Sequence, residues 1–389
     1  MRSSERRKRK RKSEYFFDYT LLFVVLFLIC FGLVMLYSTS SYEANLDFGD
    51  PAFYLKKQLF ATALGLVIML FMSQWDYHRW EKVAFLAYVV SNTMILLVLS
   101  PLGFEANGAR RWIRIAGISI QPAEVAKIAL ILVLASVICQ LGKGIRTTKG
   151  TIFILALAAV PAALVLLVTK NLSSAIIIMG IAVVMMFVAD PRYRWYILAA
   201  LGVIAFAVGM VCLILFLSSG EAGSGNYRWD RVLAWINPEK YAADEGFQTL
   251  QALYAIGSGG IWGKGLGQSM QKLGFLPEAQ NDMVFSIICE ELGLFGAFCV
   301  ILLFLMLIWR FMVVANNAPD LFGALIVVGV MGHFSIQVVL NIAVVTNSIP
   351  NTGITLPFIS YGGTSILFLL AEIGLVLNVS KSIRLRDVG

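Results

Sequence analysis

The sequence predicts an all-α polytopic membrane protein of about ten transmembrane helices, with a large extracellular loop between the seventh and the eighth. Three observations carry that reading. The 389 residues are 59% hydrophobic and only 14% charged, with a mean hydropathy of +0.81, whereas soluble domains carry about 25% charged residues. Apolar runs of spanning length recur ten times. The basic residues then fall mainly on one side of those runs, the asymmetry that orients membrane proteins.

The runs lie at 19–40, 59–74, 83–100, 122–141, 152–169, 172–189, 196–217, 283–309, 321–345 and 364–379. A hydrocarbon core needs about 20 helical residues, so the second and last runs are short. "TKNLSS" (169–174) leaves room only for a sharp hairpin between the fifth and sixth. The start, "RSSERRKRKRK", resembles a signal-peptide n-region, but the run behind it is long enough to span and no A-x-A-like site follows. An uncleaved first helix is expected. The chain therefore divides into a basic cytoplasmic tail at 1–18 that can touch anionic membrane lipids, a membrane domain at 19–380, and a short tail at 381–389. With the N-terminus inside, the cytoplasmic segments hold 19 of the 31 Lys and Arg, the outer segments 11, and Lys127 lies within a span. Both termini are then cytoplasmic. No folded basic domain accompanies the tail, so no nucleic-acid partner is expected.

The five cysteines sit in apolar runs at scattered spacings, which fits packing residues rather than a disulfide framework or a CxxC site. With only His78 and His333, a histidine metal cluster or a histidine-based triad is not expected.

Exceptions to the charge bias point to chemistry. "GARRWIR" places Arg110, Arg111 and Arg114 in an outer loop, which suggests an anionic ligand; contact with lipid headgroups is the plainer alternative. The outer loop 218–282 contains "FQTLQALYAI", which has helical spacing, then a glycine-dense turn segment. That segment, "GSGGIWGKGLG", lacks the strand-turn-helix setting of a nucleotide loop and faces away from nucleotides, although Lys264 within it can meet an outer anion. The last outer loop, "NSIPNTGITLPFISYGGTS", follows an irregular path fixed by Pro350, Pro357 and the Gly362–Gly363 pair. Such backbone at membrane depth must be buried in protein or line a cavity.

The fourth span opens "QPAEVAKIAL", where Gln121, Glu124 and Lys127 recur every three residues and the last two can pair on one helix face. Charges inside a span face protein or an aqueous cavity. At the mouth of the eighth span, "LPEAQNDMVF" presents Glu278 and Asp282. Local sequence leaves two readings of Asp282 open, a helix cap or a site residue.

"GARRWI" with "QPAEVAK" (108–127), "YAIGSGGIWGKGLG" (254–267), "LPEAQNDMVFSIICEELG" (276–293) and "PNTGITLPFISYGGTS" (350–365) together resemble the SEDS proteins (shape, elongation, division, sporulation), the FtsW/RodA/SpoVE peptidoglycan glycosyltransferases. The resemblance covers about 19–380. Thr355 in "GITLPFISYGG" looks closer to FtsW and its sporulation relative than to RodA. The resemblance implies a ten-helix enzyme of the cytoplasmic membrane, at the division septum, that polymerises lipid II into glycan strands on the outer face. It implies a class B penicillin-binding protein and other divisome proteins as partners. The family's catalytic acid falls on Asp282, and its cavity residues on Arg111, Lys127 and Glu124. Gln121, Lys264, Ser360 and Tyr361 are further expected substrate contacts in the same blocks. Two departures stand out: Gln280-Asn281 replaces the family's His-Thr, and "KNLSS" puts Asn171 where a second acid is common.

The chemistry implied is an inversion from an α-linked sugar pyrophosphate to a β-1,4 glycan. A single displacement needs a general base, the role expected of Asp282, and positive charge for the departing pyrophosphate, expected from Arg111 and Lys127. Glu124 is expected chiefly to hold Lys127. No D-x-D motif is present, so no metal ligand and no resident cofactor are expected; a divalent cation such as Mg2+ is compatible as a companion of the pyrophosphate. A lipid II flippase, a RodA-like elongation polymerase and a non-catalytic scaffold are the alternatives. Acids and arginines gathered at the outer edge rather than the midplane favour the enzyme.

Overall fold

The computed structural model describes residues 17–106, 109–115, 118–190, 192–217, 227–243 and 246–383. The described chain is a helical bundle: α1 (Tyr19–Phe48), α2 (Phe53–Gln74), α3 (His78–Leu97), α4 (Pro122–Leu141), α5 (Thr148–Val168), α6 (Leu172–Ala189), α7 (Tyr193–Leu217), α8 (Tyr227–Ile236), α9 (Phe247–Gly259), α10 (Val284–Asn316), α11 (Leu321–Val345) and α12 (Ser365–Ser382). Each of the ten expected spans is one of these helices. Among the described residues nine are long and apolar enough to cross a membrane, and the remaining expected span, 196–217, is the 25-residue α7. The protein is a multi-pass membrane protein. The basic tail before residue 17, the last six residues and part of the 218–282 loop lie outside the described residues.

The second span proves longer than its apolar run because its first turns are polar. Lys56, near the start of α2, pairs with Asp50 at 2.7 Å, and α2 reaches 22 residues. The 103–120 segment, expected as a loop, is a small antiparallel sheet of β1 (Gly103–Ala106), β2 (Ala109–Ile115) and β3 (Ile118–Ile120) in the order β1-β2-β3. Its strands are too short for alternation to show in sequence. Arg114 lies 4.4 Å over the Phe104 ring.

Buried polar side chains tie the helix ends together. Asp18 caps α1 by accepting from the Leu21 amide at 2.8 Å, and also pairs with Arg310 of α10 at 2.7 Å. The Asn378 side chain of α12 accepts from the Tyr77 amide and donates to the Met72 and Trp75 carbonyls, which closes the α2–α3 turn.

Helix α10 is broken at Gly293, which has φ 68° and ψ −170°. The break is filled by the glycine-rich segment. The Lys264 and Gly265 amides donate to the Glu290 and Glu291 carbonyls at 2.9 Å, and the Leu294 amide donates to the Gly260 carbonyl at 2.9 Å. A side chain at Gly293 would meet the Gly263 amide at 2.4 Å, so only glycine fits this approach. The glycines therefore serve helix packing.

Candidate active site

At the Asp282 end of the bundle a cavity of about 760 Å³ opens between β2, the start of α4, the α5–α6 turn, α8, the segment before α10 and the 350–365 loop. Each wall has a local cause. Pro122 opens α4 at its first position, where the missing amide hydrogen costs nothing. Glu124 and Lys127 follow one turn in, on the cavity side, and form an ion pair at 2.8 Å while almost fully buried. Lys127 also contacts His333 Nε2 at 2.9 Å. Arg111, on β2, donates to the Thr169 and Lys170 carbonyls at 3.2 and 3.3 Å, which holds its guanidinium against the α5–α6 turn.

That turn explains one departure from the family pattern. Asn171 caps α6, its side chain accepting from the Ser174 amide at 3.0 Å, and it lines the cavity. Asn caps about as well as Asp, so the loss of the acid leaves the turn intact. In the other departure, Gln280 donates to Glu43 of α1 at 2.7 Å, while Asn281 hydrogen-bonds Glu278. Glu278 itself sits at φ +57°, a left-handed conformation uncommon outside glycine.

The irregular 350–365 loop is held by side chains from the buried helices. Asn341 donates to both the Ile354 and Asp282 carbonyls, at 2.6 and 2.8 Å. Gln337 donates to the Thr355 carbonyl at 3.0 Å. Arg231 from α8 donates to the Asn351 carbonyl at 3.2 Å. Loop and helices together frame Asp282.

Asp282 is 8% exposed. The residue preceding α10 is Met283, and no side chain caps that helix, so the cap reading is not supported. Asp282 Oδ1 is buried without a hydrogen-bond partner. Burial pushes the carboxyl up to about 7; Glu278 adds to the rise, and the Asp282 and Met283 amides and Arg231 oppose it. An acid in such a state exchanges a proton readily near neutral pH.

Of the expected site residues, Asp282, Arg111, Lys127, Glu124, Gln121 and Tyr361 all line this cavity. Two lie elsewhere. The Lys264 ammonium is engaged by Glu290 at 2.7 Å beside the α10 break, because a buried carboxylate there demands a counter-charge. Ser360 is buried with its hydroxyl accepting from the Leu356 amide at 2.7 Å, a role internal to the loop. Sequence reading missed Arg231 and His333. The first sits on a short amphipathic helix hidden in the long 218–282 loop; the second has no local motif at all.

Fold and site thus define a multi-pass membrane protein with a polar cavity whose walls carry the buried Asp282 carboxylate and several cations. A family model described as "Cell cycle protein", covering FtsW, RodA and SpoVE, matches residues 19–385. The chain belongs to that family. It is 40% identical to stage V sporulation protein E of Bacillus subtilis, over 94% of this chain and 97% of that one. It is 38% identical to the probable peptidoglycan glycosyltransferase FtsW of Geobacter metallireducens, over 95% and 96%. Among solved structures it resembles a chain of a peptidoglycan synthase complex that coordinates polymerization and crosslinking (TM-score 0.73, 28% identity, 94% of this chain and 98% of that). The rod shape determining protein RodA of Thermus thermophilus is also similar (TM-score 0.66, 28% identity, 94% and 97%).

Proposed function

We propose that this protein is a peptidoglycan glycosyltransferase that polymerises lipid II into β-1,4 glycan strands at the outer face of the cytoplasmic membrane, with Asp282 as general base. Family membership and the named glycosyltransferase relatives support the class. The single observation behind the mechanism is the buried Asp282 carboxylate, with an unpartnered oxygen, on the wall of a cavity that also presents Arg111 and Lys127. Asp282 takes the proton of the acceptor hydroxyl as that oxygen attacks the anomeric carbon. The bond to the pyrophosphate breaks on the opposite face, which gives the single inversion. Arg111 and Lys127 stabilise the charge that develops there, the guanidinium fork suiting phosphate oxygens, and Glu124 holds Lys127. Gln121 and Tyr361 contact the substrate from the same wall.

No three His, Cys, Asp or Glu side chains gather into a ligand set among the described residues. A divalent cation such as Mg2+ would therefore be carried mainly by the pyrophosphate and water. The reading places both termini in the cytoplasm and the protein at the division septum. A class B penicillin-binding protein is the partner, a pairing supported by the similarity to the synthase complex.

Purified protein given lipid II, with and without that partner, tests the reading. Wild type should form glycan. Asp282→Asn keeps the shape but cannot accept the proton, and should lose about 10²–10⁴ in rate while still binding lipid II. Wild-type-like synthesis by folded Asp282→Asn protein would overturn the base assignment. A wild type that moves lipid II across vesicles and makes no polymer would favour a flippase instead.

A further inference from the structure

Behind Lys127 lies a second pair of titratable groups that the mechanism above does not use. His333 of α11 contacts Lys127 Nζ through Nε2 at 2.9 Å, and its Nδ1 lies 2.8 Å from Glu372 Oε2 of α12. Lys127, His333 and Glu372 are each 1% exposed. Glu124 and Lys127 line the cavity, whereas His333 and Glu372 do not. The chain Glu124–Lys127–His333–Glu372 thus runs from the cavity wall of α4 through α11 into α12.

We propose that His333 and Glu372 are positioning residues that fix the Lys127 ammonium for the departing pyrophosphate, an inference that rests on the glycosyltransferase reading. A nitrogen–nitrogen contact of this length needs one donor and one acceptor, and an ammonium has no acceptor. A charged Lys127 therefore requires His333 to present a lone pair at Nε2. The ring hydrogen must then sit on Nδ1, where Glu372 accepts it. Glu372 selects that tautomer, as carboxylates behind functional histidines commonly do. Glu124, three residues away on the same helix, anchors Lys127 from one side only. The imidazole supplies the second anchor to a side chain with four rotatable bonds. Leaving-group charge develops in the transition state, so a loosened Lys127 should cost turnover more than binding.

Initial rates on lipid II with the full-length protein test this. His333→Gln can accept from Lys127 and donate to Glu372, so it should keep kcat within about threefold. The double variant His333→Leu/Glu372→Leu leaves no stranded carboxylate. Folded by its melting temperature, it should lose about 10–100-fold in kcat with KM within about twofold. If that variant does not fold, Glu372→Gln keeps volume and an acceptor but no charge. It should lose about threefold or more in kcat with KM unchanged. Wild-type kcat in the folded double variant, or in Glu372→Gln where the double does not fold, overturns the proposal. So does a folded His333→Gln as poor as the leucine variant, or a loss confined to KM. A wild type that makes no glycan overturns the polymerase reading itself, which separates the two failures.

Discussion

Asp282 carries two opposed demands. As the proposed base it must be ionised, so the rate should rise with pH through about 7 and level off above, a limb that Asp282→Asn removes. Stability runs the other way. The folded state binds this proton up to about 7, while an unfolded carboxylate releases it near the usual 3.8. Between those values the folded state holds more protons, so stability falls as pH rises across that window. Asp282→Asn should therefore melt at a higher temperature than wild type at pH 8, and by a smaller margin at pH 5. Equal melting at both values would mean that burial does not burden the ionised acid. Asp282 itself was legible from family motif and position. The rise in its proton affinity was not, because it comes mainly from burial, to which Asn341 and the 350–365 loop, both distant in sequence, contribute the walls.

Helix ends account for most of what departs from the family pattern. Asn171 is the clearest case, since its cap bond to Ser174 depends on a side-chain oxygen and not on charge. Asn171→Asp should leave stability nearly unchanged, and Asn171→Ala should cost about 1 kcal/mol, measured by denaturation in detergent. An alanine variant as stable as wild type would remove the cap from the account. The spans themselves were readable because ten long apolar runs admit few other folds. The sheet at 103–120 was not, since Arg110, Arg111 and Arg114 obscure the alternation of strands only three to seven residues long. Lys264 was misread for a similar reason. Its partner Glu290 lies 26 positions further on, and nothing local signals the pair.

At the scale of the whole molecule, the proposed orientation makes one accessible prediction. Lys240 is exposed in the 218–282 loop, which that orientation puts outside, whereas the five native cysteines all lie on the long apolar helices. Lys240→Cys should be labelled from outside intact cells by a membrane-impermeant maleimide. Labelling only after lysis would invert the topology and move the cavity to the cytoplasmic face.

The break at Gly293 divides α10 into a short segment that leads back to Asp282 and a long one that crosses the bilayer. Membranes differ in thickness, and a spanning helix answers such mismatch by changing its tilt. Were α10 continuous, that tilt would swing Asp282 through an arc set by the full lever. Instead the segment before the break is pinned by main-chain bonds to residues 264 and 265 and by the buried Lys272–Glu291 pair at 2.7 Å. The long segment can lean like a mast on a fixed step. On the proposed function this pinning should insulate the geometry around Asp282 from lipid composition, and turnover in vesicles of 14- and 18-carbon acyl chains should differ little beyond substrate access.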